Sequence, residues 1–506
     1  MLLLISACFV WACTSSLRHR RKQAPGPRPL PLIGNLHQIP LENRWRKFQQ
    51  WHKAYGPIIQ MQLGQRLAIS VGSHTIAHEL LNVNGSIYSS RPRLILAGDC
   101  ISKGLHSFLL PYGDKWPHPP PDPGGFVDRS TDHGLYRHLQ DMESKQLLYD
   151  LLSATSFRPH FRRYTASIIF TLAYGKRMAT PDAPEIIEVD QIIENLALAA
   201  GQAENMIVEA FPILHLLPSF LAPWKRVGDR FHERTVRFFN ELMDEGRQSP
   251  AWNWTKHVLG MKEARSLESK EIAYLIGGLY EAGSETTATV LEIFVFAAVL
   301  HPECVRRAQS EIDSVTGKSR PPSFDDAAKL PYTNAFINEV LRWRPGTPLG
   351  LPHAPIRDSK FMGYDIPAGT MIFPNNWALD LDDEVFQDPF TFRPERWLLD
   401  AQLPLSTFGF GRRACAGNVM ARNSLFIVIS RVLWEYDITP VDEGGTRVEV
   451  DPWAMKQGIT SPPLPFPARF SVRSAGHSCA IEREWESAEK DAGTTFVGKA
   501  DATARD

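Results

Sequence analysis

Apolar residues recur every three to four positions through Tyr164 to Tyr174, Val189 to Ala200, Val227 to Glu245, Lys270 to Leu300 and Thr333 to Arg342. That period puts them on one face of a 3.6-residue helix, so each stretch is predicted to be helical. Alternation with period two is scarce. IIQMQLG from Ile58 and RLAISVG from Arg66 read as two short strands around a turn, and the remaining strands are expected only between Phe361 and Ile372 and in the region ending near Val472. The pattern predicts a mainly α fold with small β-sheets.

Four stretches depart from it. Leu2 to Cys13 is uncharged and mostly apolar, and Arg18, His19, Arg20, Arg21 and Lys22 follow at once. Positive charge after the apolar run, rather than before it, suggests a signal anchor over residues 1–17 whose C-terminal side stays cytosolic. Its twelve apolar residues span only about 18 Å as a helix, against a hydrocarbon core of about 30 Å. A shallow interfacial helix, or a clipped start, is therefore the alternative. Pro25 to Pro40 is too proline-rich for a helix and is expected to be a stiff arm, so residues 18–40 read as a basic, proline-rich hinge ahead of a body at 41–474. Residues 117–134, PHPPPDPGGFVDRSTDHG, cannot form a regular helix, and the helical pattern resumes at LYRHLQDMESKQLLYDLL. The last stretch, 475–506, is polar with few large apolar residues and reads as a disordered tail.

With 506 residues, no internal repeat and no linker within the body, one large domain with a deep core is expected. Lys plus Arg number 55 against 56 for Asp plus Glu, which gives no signal for nucleic acid. Six cysteines, Cys8, Cys13, Cys100, Cys304, Cys415 and Cys479, lie scattered without a C-x-x-C spacing, as in a reducing compartment.

One of them has a distinctive setting. In FGFGRRACAG, from Phe408 to Gly417, Gly409 and Gly411 allow a tight turn before Cys415, and Ala414 to Met420 reads as the start of a helix continuing as ARNSLFIVISRVLWEY. A sulfur at a helix N-terminus is expected to be stabilised as the thiolate, the form that ligates iron. Arg413 offers a fork for a carboxylate, and Phe408 is placed to pack near the sulfur.

These residues resemble the cysteine loop of the cytochrome P450 superfamily, the haem-thiolate monooxygenases. The resemblance implies a P450 fold, haem b as cofactor, Cys415 as axial iron ligand, and Phe408, Gly411 and Arg413 around the haem. Further motifs follow in the family's order. Glu339 and Arg342 share a helix face in FINEVLRWRP, and Arg396 lies in TFRPERW, which together imply a buried structural triad behind the cysteine loop. YEAGSETTATV resembles the oxygen-binding motif, in which Glu285 and Thr286 would relay protons, while Gly283 and the hydroxyls locally loosen the helix. His353, in PLGLPHAP, and Trp116, after YGDK, match positions that contact haem propionates.

The chain departs from the family after Trp116, where a basic helix would carry an Arg and this chain has Pro120. A compensated frame shift or a mispredicted intron boundary would produce such a stretch, and a natural loop is the alternative. Finer pieces, RRYTASIIFTLAYGKR, AWNW and MKQGITSP, look most like fungal microsomal members of the O-methylsterigmatocystin oxidoreductase type. The resemblance implies insertion of one atom of dioxygen into a small apolar substrate, in fungal secondary metabolism. Electrons would come from NADPH through cytochrome P450 reductase, since the chain has no nucleotide-binding glycine motif. The expected location is the endoplasmic reticulum membrane, with the catalytic domain facing the cytosol. Two other readings are a haem-binding pseudoenzyme, suggested by residues 117–134, and a haem-thiolate isomerase or dehydratase, against which Glu285 and Thr286 argue.

Overall fold

The computed structural model describes residues 22–112, 133–201, 203–443, 446–447 and 449–490. The proposed anchor, Trp116, residues 117–132 and the end of the tail lie outside the described residues.

The predicted helices are all present and slightly longer than their apolar patterns. The longer helices are α1 (Arg44–Tyr55), α2 (His133–Leu151), α3 (Arg158–Tyr174), α4 (Pro184–Gly201), α5 (Pro223–Gln248), α6 (Ser269–Leu300), α7 (Pro302–Thr316), α8 (Pro331–Trp343), α9 (Asn418–Glu435) and α10 (Ala475–Glu486), with shorter helices between them, and α1, α7 and α10 are not among those predicted. Four begin with proline, which has no amide hydrogen to leave unsatisfied in a first turn; α6 begins with a capping box formed by Glu268 and Glu271.

Helix α6 is the axis of the core and packs most extensively on α3. Gly283 explains how closely: a Cβ there would lie 2.7 Å from Ile169 Cδ1 on α3. The expected loosening of the helix around Gly283 does not occur, because α6 is continuous from Ser269 to Leu300. It is apolar and long enough to cross a membrane, but its apolar window is 72% buried within the protein.

The strands form small sheets. Strands β1 (Ile58–Leu63) and β2 (Arg66–Val71) pair antiparallel, and β5 (Met371–Pro374) adds in parallel to β2. Strands β3 (Ser359–Phe361) and β4 (Tyr364–Ile366) make a hairpin, and β6 (Tyr436–Pro440) pairs with β7 (Ala468–Val472).

Two boundaries need correction. The proline-rich segment docks on the β1 edge: the Gln60 amide donates to Pro25 O at 2.8 Å, and the fully buried Asn35 accepts from the Gln62 amide at 2.7 Å. Proline carbonyls still accept hydrogen bonds, so a segment unable to form a strand of its own can be held by one. The expected disorder from residue 475 also fails in part. Ala475–Glu486 is helical, buries His477, Ala480 and Ile481, and sets Trp485 in tilted ring contact with Tyr149 of α2, centroids 6.2 Å apart. Those few apolar residues share a face, which average composition conceals.

Candidate active site

The cysteine loop is shaped by its glycines. Gly409 and Gly411 have φ of +71° and +57°, and a Cβ on Gly411 would lie 2.1 Å from Leu81 O. No other residue fits that approach. The Gly411 amide donates to Asn82 Oδ1, and the Cys415 amide to Phe408 O at 2.8 Å. The Phe408 ring lies under the Arg422 guanidinium, 4.8 Å away.

Two sequence expectations change here. Helix α9 starts at Asn418, not Ala414, with Gly417 as its N-cap, so Cys415 precedes the first turn. The side chain is exposed, yet surrounding protein desolvates the sulfur enough to push the thiol's pKa up, against the stabilising Gly417 amide. Burial here outweighs the helix end.

Beside the loop, the structure gathers three basic side chains. Arg413 donates to Ser89 O at 3.0 Å and Leu110 O at 2.7 Å, hydrogen-bonds Tyr112, and lies 5.0 Å from that ring's centroid. His353 is 3% exposed and its Nδ1 donates to Tyr88 O at 3.0 Å. Arg91, which sequence reasoning missed, is 8% exposed and donates to Phe108 O, Leu351 O and Pro352 O at 3.0, 3.2 and 2.8 Å. The segment Tyr88 to Arg91 organises all three, pinned by reciprocal bonds between Ser90 and Ala354. Nothing in the periodicity marks Arg91; only the packing of three distant segments does.

The electrostatics are unfavourable as they stand. Burial, then the Arg413 charge, lowers Arg91 to about 9, and burial with both arginines lowers His353 to about 3. His353 is therefore neutral at pH 7, not the basic group expected from sequence. Its Nδ1–H is committed to Tyr88 O, which leaves Nε2 as an acceptor. Among the described residues, no carboxylate forms an ion pair with Arg91.

The second charged group contrasts with this. Glu339 and Arg342 are 0% exposed and Arg396 is 4% exposed. Arg342 grips the Glu339 carboxylate with two bonds of 2.9 and 2.7 Å, Arg396 Nε reaches it at 3.2 Å, and Trp397 Nε1 and the Arg393 amide each donate at 2.9 Å. Burial works to raise the Glu339 pKa, but these partners outweigh it and the net shift is downward. The triad sits beside the cysteine loop, since Thr407 Oγ1 donates to Leu341 O of α8 at 3.1 Å.

On α6, Thr286 is exposed and donates back to Ala282 O at 2.7 Å. Glu285, its neighbour, accepts from Thr460 Oγ1 at 2.5 Å, and one turn earlier Glu281 binds His106 at 2.9 Å. Thr460 and His106 come from loops on two other parts of the chain, and neither pairing has a sequence signal. A groove of about 780 Å³ between α4 and α5 shares no lining residue with any of these sites; within it Arg234 pairs with Glu188, while Glu185 and Glu245 pair with Lys176 outside it.

Comparison with known proteins adds to this geometry. The family model described as Cytochrome P450 matches residues 24–119 and 127–468, skipping seven positions within the proline-rich stretch. The chain is 44% identical to "Cytochrome P450 monooxygenase aneD" of Aspergillus aculeatus over 484 residues, 94% of this chain and 93% of that one. It is 43% identical to "Cytochrome P450 monooxygenase FrzL" of Cladobotryum sp over 94% of this chain and 93% of the other. To "Echilunin cytochrome P450 monooxygenase" of Aspergillus ruber it is 41% identical, over 96% of this chain and 90% of the other.

Proposed function

The chain belongs to the cytochrome P450 family, and on that premise we propose that Cys415 is the axial thiolate of its haem b and that Arg91, Arg413 and His353 hold the haem carboxylates. It is a haem-thiolate monooxygenase of the fungal secondary-metabolism type, and it uses dioxygen and a redox partner. The observation carrying the site assignment is the pair of guanidiniums, Arg91 buried and Arg413 half-buried, with His353 beside an accessible thiol. A soft sulfur donor and adjacent desolvated cations suit a group that presents iron together with carboxylates.

Bound haem supplies dioxygen activation and insertion of one oxygen atom into the substrate. The chain's own groups do the rest. Arg91 and Arg413 neutralise carboxylates without rearrangement, because backbone carbonyls already fix both guanidiniums. A carboxylate beside His353 favours its protonation, so a proton at Nε2 would accompany binding. Thr286 holds a proton at Oγ1, now donated to Ala282 O, and Glu285 is the adjacent group able to replace it. Electrons would come from NADPH through cytochrome P450 reductase.

Membrane association at the endoplasmic reticulum, with the body facing the cytosol, is part of the same proposal. Besides the N-terminal apolar run, Leu30, Leu32, Leu216, Phe220 and Leu221 are exposed, and β1–β2 ties their two segments together: the Gly64 amide donates to Ile33 O and the Gln65 amide to Ala210 O. Deleting residues 1–24 should therefore release only part of the protein from salt-washed membranes.

A second reading, a haem-binding protein without turnover, is favoured by the family match skipping residues 120–126. One measurement tests the main assignment: the carbon-monoxide difference spectrum of the reduced protein and of Cys415→Ser. The wild type should show the thiolate-type band and the variant should lose it. Retention of the band by the variant would remove Cys415 as ligand, and full haem content without NADPH-dependent turnover of any substrate would favour the second reading.

A further inference from the structure

The loop from Met455 to Pro463 is fixed by its own hydrogen bonds. Met455 and Pro463 form an isolated bridge, the Lys456 amide donates to Pro462 O at 2.8 Å, and Ser461 donates through its amide to Gly346 O and through Oγ to Lys456 O, both at 2.8 Å. Its tip is tight, since a Cβ on Gly458 would lie 2.6 Å from Thr460 O. Two neighbouring residues then diverge in use. Ile459 is 68% exposed, a large apolar side chain that the loop does not bury. Thr460 donates its hydroxyl proton to Glu285 on α6 at 2.5 Å.

A neutral donor on a carboxylate is a charge-assisted bond, and it selects one orientation of a side chain with three rotatable bonds. The held loop sets that orientation. The other charges near Glu285 are Arg162 and Glu292. Arg162 is itself committed to Asp190, which is 45% exposed. Glu285 thus lies between an ion pair that reaches solvent and a hydroxyl one residue from an apolar contact surface.

We propose that Thr460 is a positioning residue for Glu285: its hydroxyl fixes the carboxylate and, through that bond, the proton supply to Thr286. The inference rests on the proton-relay reading of Glu285 and Thr286. It gives the loop from Met455 to Pro463 a part in proton supply.

The test uses the haem-loaded enzyme with its reductase and no added substrate. NADPH oxidation and peroxide release are measured in H2O and D2O for the wild type, Thr460→Val, Thr460→Ser, Glu285→Gln and the double variant Thr460→Val with Glu285→Gln. Valine keeps the shape and removes the hydroxyl, and serine keeps the hydroxyl. Thr460→Val should change the solvent isotope effect by about two-fold or more, in the same direction as Glu285→Gln. Thr460→Ser should restore it, and the double variant should match Glu285→Gln. Independently of turnover, the infrared carboxyl band that Glu285→Gln removes should shift in Thr460→Val and return in Thr460→Ser. Wild-type behaviour of Thr460→Val in both measurements, with Glu285→Gln altered, overturns the proposal and leaves the relay standing. Equal disturbance by valine and serine also overturns it, because packing rather than the hydroxyl would then be responsible. No effect of Glu285→Gln itself overturns the relay reading and the proposal with it.

Discussion

Two buried charged groups flank the cysteine loop, and they are balanced in opposite ways. In the Glu339, Arg342, Arg396 group the carboxylate receives five donors, and Arg342 also donates to Asp380 O and Pro389 O at 2.8 Å each. In the Arg91, His353, Arg413 group the acceptors are backbone carbonyls, and the nearest charges repel. Carbonyl oxygens satisfy hydrogen bonds but cannot neutralise a cation, so desolvation lowers the pKa of all three groups. The first set is complete within the chain and is structural. Under the proposal above, the second would gain its electrostatic balance from an anion, which is the reason for assigning it, and not the better-bonded triad, to the cofactor.

Removing a charge should therefore have unequal consequences in the two places. The largest effect is expected for Glu339→Ala, which strands two buried guanidiniums at a cost of roughly 3–5 kcal/mol in denaturant unfolding. A cost below about 1 kcal/mol would mean the triad is not a buried closed network. Arg91→Leu should cost the haem-free fold clearly less than Glu339→Ala, since it deletes a buried cation without stranding an acid and leaves only three carbonyls without that donor. Haem retention should nevertheless weaken by about 10- to 100-fold, from a charge-assisted contact of roughly 1.5–3 kcal/mol, read as transfer to excess apomyoglobin. Equal destabilisation of the haem-free protein by Arg91→Leu and Glu339→Ala would erase the contrast.

Acid separates the two groups next. His353 titrates near 6.5 when unfolded and about 3 when folded, so its contribution is complete above the unfolded value and is lost as pH falls from there toward 3. Glu339 is also lowered, from 4.5, so its contribution persists until the pH drops below that value. Unfolding free energies between pH 6.5 and 4.5 should accordingly fall in the wild type and fall less steeply in His353→Gln, where buried His52, lowered to about 4, still contributes a slope. An unchanged slope in that variant would show that His353 does not titrate in this window. The smallest effect belongs to an exposed pair such as Lys103 with Asp229, where the side chains are 44% and 51% exposed. Lys103→Ala should cost under about 0.5 kcal/mol in thermal unfolding, since water already screens the charge.

Local pattern was enough to read much of this molecule. The long helices were legible because apolar period and length are properties of neighbouring residues, and Cys415, Arg413 and the Glu339 motif were legible because each lies in a short fixed spacing. Failures came where a distant partner decides the outcome. The proline arm docks because β1 offers it amides, and the C-terminal helix forms because α2 offers it a surface. Cys415 fell outside the helix when α9 began four residues later than expected, and burial then outweighed the Gly417 amide in setting the direction of its pKa.

The sequence by itself determined the helical fold class and the cysteine loop with its required glycines, which follow from spacing along the chain, and pointed to the triad residues through the family resemblance. Tertiary structure alone decided that Arg91 joins Arg413, that His353 is neutral, and that Thr460 reaches Glu285. The reason is physical: charge balance and pKa depend on which groups share a low-dielectric volume. Segments hundreds of residues apart meet in that volume only after the chain has folded.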